Sequence, residues 1–379
     1  MEEKIDRKSW QPVPISPDEL ENLKGKYLGL QVVDQYRKNL EELFLLRNPK
    51  YRFDKNYQAD FEKFFADQVE SGANNAGNWF YYPWLNTIIH FLIDDMQQEL
   101  RTGRNRYLIT EEEQKKFYKA TIAILGMSVG SHGAVTIALT GGARHIKIAD
   151  PDAISGDNLN RIRSGSAQVG MNKAIFVARQ IYELNPYAEI EIYTDGVNED
   201  NAEKILNGVN LVCEEMDHPY WKLKIRELAR KRGIPVIMGT DNGDGAIVDI
   251  ERFDLDQAYP ILHGVIGDIT ADKMKQIDPK DWPKVAAKVA GANLAVPRML
   301  DSVTEVGKSL YSWPQLGTAA NLCGTVVAYL ARRIILKAPN IKSGRYQVNL
   351  DSIFESDYKR KWFSRKMALV KFIKKMTRR

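Results

Sequence analysis

The chain has 379 residues, of which 44% are hydrophobic and 27% charged, a composition that excludes a wholly disordered, collagen-like or disulfide-stapled protein. Its two cysteines, Cys213 and Cys323, are too few for a Cys-rich zinc module, so we expect no zinc. The first residues form no apolar signal segment, and no apolar run is long enough to span a bilayer. These features predict a cytoplasmic location.

The net charge of +5 is unevenly distributed along the chain. No acid follows Asp357, whereas ten of the 54 Lys and Arg residues do. Residues 1–358 therefore carry 44 basic and 49 acidic groups, a net charge of −5. Residues 353–379 are predicted to form a basic amphipathic tail that contacts an anionic membrane, RNA or a partner protein. A packed helix with a solvated basic face is the alternative.

Residues 1–115 are predicted to be a mainly helical N-terminal region. Apolar residues recur at helical spacing over 20–46 and 84–100, and a Gly- and Asn-rich loop, 71–78, lies between these stretches. The aromatic run 79–84 is interpreted as a buried packing cluster rather than a ligand-stacking surface.

Residues 116–258 are predicted to be a Rossmann-like nucleotide-binding core. Short apolar runs alternate with helical stretches, which is typical of βαβ units and a parallel sheet. A tight turn at 241–245, followed by a strand at 246–253, predicts an antiparallel extension. The predicted parallel strands are 121–125, 146–149, 190–193, 211–213 and 235–238. The fold class is therefore α/β with a mostly parallel sheet.

Residues 259–352 are predicted to complete this fold. The Lys- and Pro-bearing segment 271–298 is interpreted as a mobile loop or a set of small helices. Apolar and small residues at helical spacing predict a tightly packed helix over 318–336. A last strand is predicted at 345–350.

A glycine-rich turn follows the first strand of the core. Such a turn lets backbone N–H groups approach phosphate oxygens at the start of a helix, although it also occurs as a tight turn without a ligand. Asp150 follows Gly126 by 24 residues, close to the spacing at which an acid reaches a ribose hydroxyl. The predicted nucleotide-binding residues of this part are Gly126, Met127, Ser128, Gly130, Ser131 and Asp150, with Ser128 and Ser131 in the places of two glycines.

Further polar residues suit a triphosphate. Asp152, Asn158, Arg161 and Lys173 follow the second strand. The two cations would neutralise phosphate charge, and the amide of Asn158 would donate a hydrogen bond. Asp217 follows the strand 211–213, where an acid at the carboxyl end of a parallel strand is placed to hold Mg²⁺.

These motifs resemble the ThiF/MoeB superfamily of ubiquitin-activating-enzyme-like adenylyltransferases. The family's strand-end acid matches Asp150, and its N-x-x-R motif matches Asn158 and Arg161. Its G-x-x-K-A motif matches Gly170, Lys173 and Ala174, and its Asn-Pro matches Asn185-Pro186. The clear resemblance covers residues 104–255, with a weaker match to residue 352. Segments outside the core are similar to a bacterial molybdopterin-biosynthesis-like subgroup that is associated with nitroreductase domains.

The resemblance implies ATP and Mg²⁺ as ligands, a homodimer, and four catalytic residues. Arg161 and Lys173 are expected to contact phosphates, Asp217 to hold Mg²⁺, and Arg106 to reach the nucleotide of a dimer partner. Many members also form an enzyme thioester, but Cys213 and Cys323 fall in predicted core elements, where burial disfavours a reactive thiolate. We therefore expect no thioester here.

The predicted function is ATP-dependent adenylylation of a carboxylate, with the C-terminus of a small protein or peptide as the expected substrate. Two alternatives stay open at this point. One is a tRNA-modifying dehydratase of the same superfamily. The other is a non-catalytic nucleotide- or dinucleotide-binding partner of a redox enzyme, which the altered glycine turn keeps open.

Overall fold

The computed structural model of the chain describes residues 10–26, 28–70, 76–278 and 282–377. The chain divides into two compact units. Unit 1 comprises residues 1–115 and 178–188, and unit 2 comprises residues 116–177 and 189–379. Residues 71–75 of the predicted loop, 279–281 of the predicted mobile segment and 378–379 of the basic tail lie outside the described residues.

Unit 1 combines helices with a four-stranded sheet of order β1-β3-β4-β2. Its strands are β1 (Val13–Ile15), β2 (Gln31–Asp34), β3 (Asn78–Tyr82) and β4 (Thr87–Phe91). The helices are α1 (Pro17–Lys26), α2 (Tyr36–Arg47), α3 (Gln58–Glu70), α4 (Asp94–Arg101) and α5 (Glu111–Tyr118), the last of which ends in unit 2.

This sheet was not expected from the sequence, although helices still contribute more residues to the region than strands do. The stretch 84–100 was expected to be one helix, but its first part is strand β4, and α4 begins only at Asp94. The β-branched residues Thr87, Ile88 and Ile89 favour a strand, whereas Asp94 and Asp95 suit the first turn of a helix because the helix dipole is positive there.

The aromatic run 79–84 is part of the core of unit 1. Tyr82 is fully buried, and its hydroxyl donates to the carbonyl of Tyr182 at 2.9 Å. The ring of Phe80 meets that of Tyr187 edge to face, with 5.3 Å between their centroids. These contacts confirm the interpretation of the run as a packing cluster.

Unit 2 is built on a seven-stranded sheet of order β11-β10-β9-β8-β5-β6-β7. Neighbouring strands from β9 to β7 are parallel, while β10 and β11 are antiparallel additions. The predicted mostly parallel sheet with an antiparallel extension is therefore confirmed. The strands are β5 (Thr121–Leu125), β6 (His145–Ala149), β7 (Glu189–Tyr193), β8 (Leu211–Glu214), β9 (Val236–Asn242), β10 (Gly245–Glu251) and β11 (Gly344–Val348).

Helices connect these strands and cover the sheet. Those of the first half are α6 (Val129–Leu139), α7 (Lys173–Leu184), α8 (Ala202–Ile205) and α9 (Pro219–Lys231). Helix α7 begins in unit 2 and ends in unit 1. Those of the second half are α10 (Ala271–Met274), α11 (Trp282–Val289), α12 (Pro297–Val303), α13 (Gly317–Ile335), α14 (Asp351–Phe354) and α15 (Trp362–Thr377). The described part of 271–298 thus contains short helices. No helix among the described residues has both the length and the apolar character needed to cross a bilayer.

Close packing positions α6, the helix that follows the glycine-rich turn. Helix α13 lies against α6 and against β9. A Cβ atom added at Gly324 would lie 2.2 Å from the Cβ of His132, so only glycine allows this approach. The small residues predicted for this helix therefore have a packing role.

A buried charge cluster ties the sheet to α9. Arg226 is fully buried, and its Nε donates to Glu251 Oε2 at 2.6 Å, while Nη1 binds Glu214. Lys222 Nζ donates to the second oxygen of Glu214, Oε1, at 3.1 Å. Because a buried carboxylate is stabilised only when it is paired, this cluster fixes the carboxyl end of β8, where the candidate site begins.

Candidate nucleotide site

The candidate site lies at the carboxyl ends of the parallel strands. Strand β5 pairs with β6 on one side and with β8 on the other. The connection after β5 runs towards β6, and the connection after β8 runs in the opposite direction, towards β9. Open α/β sheets bind ligands at such a switch point. A cavity of about 220 Å³ occupies this position. Its lining residues are Gly126, Ala149, Asp150, Pro151, Asp152, Asp195, Gly196, Val197, Met216, His218 and Trp221.

The turn after β5 requires glycine at its first position. Gly126 has φ +91°, and a Cβ atom there would lie 2.4 Å from the carbonyl oxygen of Glu215. At Gly130 an added Cβ would meet the Ile124 side chain at 3.3 Å. The backbone of the turn therefore runs close to the end of β8, with little space for side chains.

Asp150 joins this turn to the loop after β6. The Met127 N–H donates to its Oδ2 at 2.5 Å, and the Asp152 N–H donates to its Oδ1 at 2.8 Å. Burial raises the pKa of the Asp150 carboxyl, although the Met127 hydrogen bond and the charge of Lys173 oppose this effect. Each oxygen keeps a second lone pair for a ligand hydroxyl.

The two serines that replace glycines make protein contacts. The Ser131 hydroxyl donates to the carbonyl of Ser128 at 2.7 Å, within the first turn of α6. The Ser128 hydroxyl accepts from Arg161 Nε at 3.3 Å. This hydroxyl therefore links the turn to a predicted catalytic cation.

Arg161 is held by further contacts on its own loop. Its Nη1 donates to the carbonyl of Asp157 and to Asn160 Oδ1, both at 3.0 Å. Its backbone carbonyl accepts from His132 Nε2 at 2.5 Å. Burial lowers the pKa of His132, so a neutral imidazole that donates from Nε2 fits this contact. These bonds fix the guanidinium beside the glycine-rich turn.

Lys173 is a nearly buried cation at the start of α7. Its Nζ donates to Asp152 Oδ2 at 2.9 Å, and its backbone N–H donates to the carbonyl of Asp152 at 2.9 Å. The preceding residue, Asn172, caps the helix, because its Oδ1 accepts the Ala174 N–H at 2.9 Å. Sequence reasoning gave Asn172 no role, although an Asn directly before a helix is a common N-cap.

Asn158 stabilises the loop that carries Arg161. Its side chain is buried, and its Oδ1 accepts the Ser155 N–H at 3.3 Å. Its amide nitrogen donates to Asp157 Oδ1 at 3.2 Å. These contacts support the loop, and the predicted role of Asn158 towards a phosphate stays a prediction.

Acidic residues lie on the β8–β9 side of the site, and only one of them, Asp217, was predicted from the sequence. Asp217 follows β8, as predicted, and is exposed. Asp241 lies within β9, where its Oδ2 accepts from Gln315 Nε2 at 3.0 Å and its Oδ1 from Cys323 Sγ at 3.4 Å. Burial raises the pKa of Asp241, the negative charge of Asp217 adds to this effect, and Arg161 opposes it. Asp241 is thus within electrostatic reach of two predicted catalytic residues.

Glu215 is a second acid that sequence reasoning left without a role. Its Oε1 accepts the Gly239 N–H at 2.9 Å, which joins the end of β8 to the middle of β9. Burial raises the pKa of this carboxyl well above its usual range. Both Glu215 and Asp241 lie at or near the carboxyl ends of predicted parallel strands. This position in the sequence could have identified them as candidate site residues.

Arg106 lies in unit 1, apart in the chain from the other predicted site residues. Its Nη2 donates to Glu99 Oε1 at 2.7 Å, and its Nη1 donates to the carbonyl of Leu46 at 2.9 Å. Its side chain is about half exposed. Its catalytic role stays a prediction.

The two cysteines are core residues, as expected. Cys213 and Cys323 are both fully buried, and burial raises the pKa of each thiol. A thiolate nucleophile at either position is therefore disfavoured. Among the described residues, no group of three or more His, Cys, Asp or Glu side chains is arranged to hold a metal ion by itself.

The chain belongs to the ThiF family, whose sequence model matches residues 102–367. The uncharacterized protein MT1398 of Mycobacterium tuberculosis is 35% identical over 280 residues, which are 74% of this chain and 39% of that protein. The adenylyltransferase and sulfurtransferase UBA4 of Candida albicans is 28% identical over 130 residues, which are 34% of this chain and 30% of that protein. The matched part is thus less than half the length of both relatives.

A third relative is the tRNA threonylcarbamoyladenosine dehydratase of Escherichia coli. It is 31% identical over 153 residues, which are 39% of this chain and 56% of that protein. A crystal structure of that enzyme in complex with AMP is similar with a TM-score of 0.46 and 21% identity, covering 64% of this chain and 97% of that chain. The narrower resemblance to a subgroup associated with nitroreductase domains stays a prediction.

Proposed function

We propose that the chain is an adenylyltransferase that activates a carboxylate with ATP. The observation that carries this proposal is the convergence of a glycine-rich turn, a buried acid and two cations at the carboxyl ends of β5 and β6. Gly126, Asp150, Arg161 and Lys173 are the residues concerned. Membership of the ThiF family supports the same reaction class, and the adenylyltransferase UBA4 is among the relatives.

The cavity suits a nucleotide in a defined orientation. In this proposal the base lies against the apolar side chains of Met216, Val197 and Trp221, which line the cavity. The ribose hydroxyls bind the remaining lone pairs of Asp150. The phosphates then extend over the N-terminus of α6, where backbone N–H groups and the helix dipole favour anions.

Magnesium accompanies ATP as part of the substrate. Mg²⁺ is usually bound by one or two carboxylates together with phosphate oxygens and water rather than by a cage of protein ligands. Asp217 and Asp241 are the carboxylates that we assign to this role, since the charges of Asp217 and of Arg161 both act on the Asp241 carboxyl. The ion supplies positive charge beside the phosphates.

The reaction requires two anions to approach each other. An oxygen of the substrate carboxylate attacks the α-phosphorus, the bond to the bridging oxygen breaks, and pyrophosphate leaves with that electron pair. Arg161 and Lys173 lower the barrier by positive charge held in place before the reaction begins. Because both thiols are buried, the acyl-adenylate passes to an acceptor other than an enzyme cysteine.

The expected substrate is the C-terminal carboxylate of a small protein or peptide, and the expected assembly is a homodimer in which Arg106 reaches the partner's nucleotide. Both stay proposals that rest on the family resemblance. A second candidate function is dehydration of a modified tRNA nucleoside, which the Escherichia coli relative supports. Purification with bound tRNA, and protection of that tRNA from nuclease, would favour the second candidate.

Nucleotide binding tests the proposal directly. The melting temperature of the full chain is measured with ATP and Mg²⁺, AMP, NAD and FMN. We expect stabilisation by ATP with Mg²⁺ and by AMP, of about 2.7 kcal/mol at a ligand concentration of one hundred times Kd. Stabilisation by NAD or FMN with none by ATP would contradict adenylyl transfer and favour a non-catalytic dinucleotide-binding protein.

A further inference from the structure

Helix α15 presents a row of apolar side chains to solvent. Phe363, Met367, Val370 and Ile373 are 66%, 41%, 37% and 50% exposed. Their spacing of three or four residues places them along one side of the helix. We call these four residues the apolar stripe. A row of this kind indicates a binding surface, because isolated exposed apolar residues are common but contiguous ones are not.

The opposite side of α15 is anchored to unit 2. Phe372 is only 5% exposed, and the helix packs against α12. Lys375 Nζ donates to Thr304 Oγ1 at 3.3 Å, and the guanidinium of Arg365 lies 3.7 Å from the centroid of the Tyr358 ring. The helix is therefore held on the protein with the apolar stripe facing outward.

Cations border the apolar stripe. Lys366, Lys371 and Lys374 are exposed, and at 100° per residue they lie on the same side of the helix as the stripe or at its edges. No acid follows Asp357 in the sequence. The outward side of α15 thus combines apolar contact area with positive charge and has no negative charge of its own.

We propose that α15 docks on the surface of a bilayer that contains anionic lipids. The apolar stripe would enter the boundary between headgroups and acyl chains, and the lysines would contact lipid phosphates and carboxylates. RNA would use the same cations but would leave the apolar stripe in water. A membrane surface matches both features, so the charge and the exposed apolar area favour it.

The test is co-sedimentation of the full chain with vesicles. Vesicles of phosphatidylcholine are compared with vesicles in which a third of the lipid is phosphatidylserine, at low and at high salt. We expect binding to the anionic vesicles that weakens as salt rises, because screening reduces attraction to the surface. Absence of binding to the anionic vesicles at low salt would overturn the proposal.

Two variants separate the apolar and the electrostatic contributions. F363Q with M367Q removes half of the apolar stripe, and K366E with K371E reverses two bordering charges. Each pair should weaken vesicle binding by about tenfold or more. All four residues are exposed, so folding should be unaffected, and unchanged melting temperatures would verify this. The control F53Q replaces a phenylalanine of unit 1 that is 94% exposed and should bind vesicles like the wild type.

Other occupants of this surface would give different results. If F363Q with M367Q left vesicle binding unchanged while abolishing self-association in analytical ultracentrifugation, the surface would be an interface between copies of the chain. If K366E with K371E abolished RNA binding while F363Q with M367Q left vesicle binding unchanged, the partner would be RNA. Either result would overturn the membrane proposal.

Discussion

The candidate site has two sides, which differ in their charged groups and in the hydrogen bonds that their carboxyl groups accept. On the β5–β6 side, the carboxylates of Asp150 and Asp152 accept hydrogen bonds from the turn and from Lys173. On the β8–β9 side, burial raises the pKa values of Glu215 and Asp241. The first side is a preformed cradle for an anion. The second side holds carboxyl groups whose ionised forms burial disfavours, and the cation of a magnesium-nucleotide complex would stabilise those ionised forms.

The largest expected effect concerns the cradle. Arg161→Ala should lower the rate of ATP–pyrophosphate exchange by roughly 10²- to 10³-fold, because it removes fixed positive charge from the transition state. The matched control is R163A, which removes an exposed arginine of the same loop that binds Asn321. We expect near wild-type exchange from the control. Equal losses in the two variants would mean that the loop, rather than the Arg161 charge, is responsible.

A smaller effect is expected from disturbing the close approach of Gly126, in the glycine-rich turn, to the end of β8. Gly126→Ala should destabilise the protein by roughly 2 kcal/mol or more, since it combines a left-handed backbone with a clash against the end of β8. Weaker ATP binding should accompany this loss. The control G156A adds a methyl group where no atom lies within 4 Å. Urea unfolding of both variants measures the difference, and similar stabilities would show that the turn relaxes without cost.

The difference between the two sides also explains what could be predicted from the sequence. The β5–β6 side is built from residues that lie close together in the chain, between Gly126 and Lys173, so spacing alone indicated their proximity. Asp241 binds Gln315 and Cys323, which are more than seventy residues away in the chain. No local pattern encodes such contacts, and Asp241 was therefore interpreted as part of a turn.

The fold shows the same distinction between local and long-range information. The strands of unit 2 were predicted because β-branched runs alternate with helices of regular length. Strand β9 is longer than predicted and continues through Asn242, so the turn to β10 comprises only Gly243 and Asp244. In unit 1, β2 pairs with β4 across more than fifty residues. A short exposed strand with such a distant partner has no clear signature in the sequence.

The smallest expected effect tests the acidic side. Burial raises the pKa of Asp241 in the folded protein above its ordinary value in the unfolded chain. At a pH between these two pKa values, the folded protein keeps a proton on Asp241 that the unfolded chain has released. Stability contributed by this group is therefore fully present below the ordinary pKa and is lost as pH rises through the raised one. D241N removes this dependence. As pH rises through this interval, the free energy of unfolding of D241N should increase relative to the wild type by about 1.4 kcal/mol for each pH unit that separates the two pKa values.

Urea unfolding of wild type and D241N between pH 4 and pH 8 measures this difference. The control D200N replaces an exposed carboxylate that does not line the cavity and should follow the wild-type curve. Curves for D241N and wild type that stay parallel over the whole range would show that the Asp241 carboxyl is already ionised and stabilised in the folded protein. In that case burial would not disfavour the Asp241 carboxylate, and the assignment of Asp241 to magnesium would rest on its position alone.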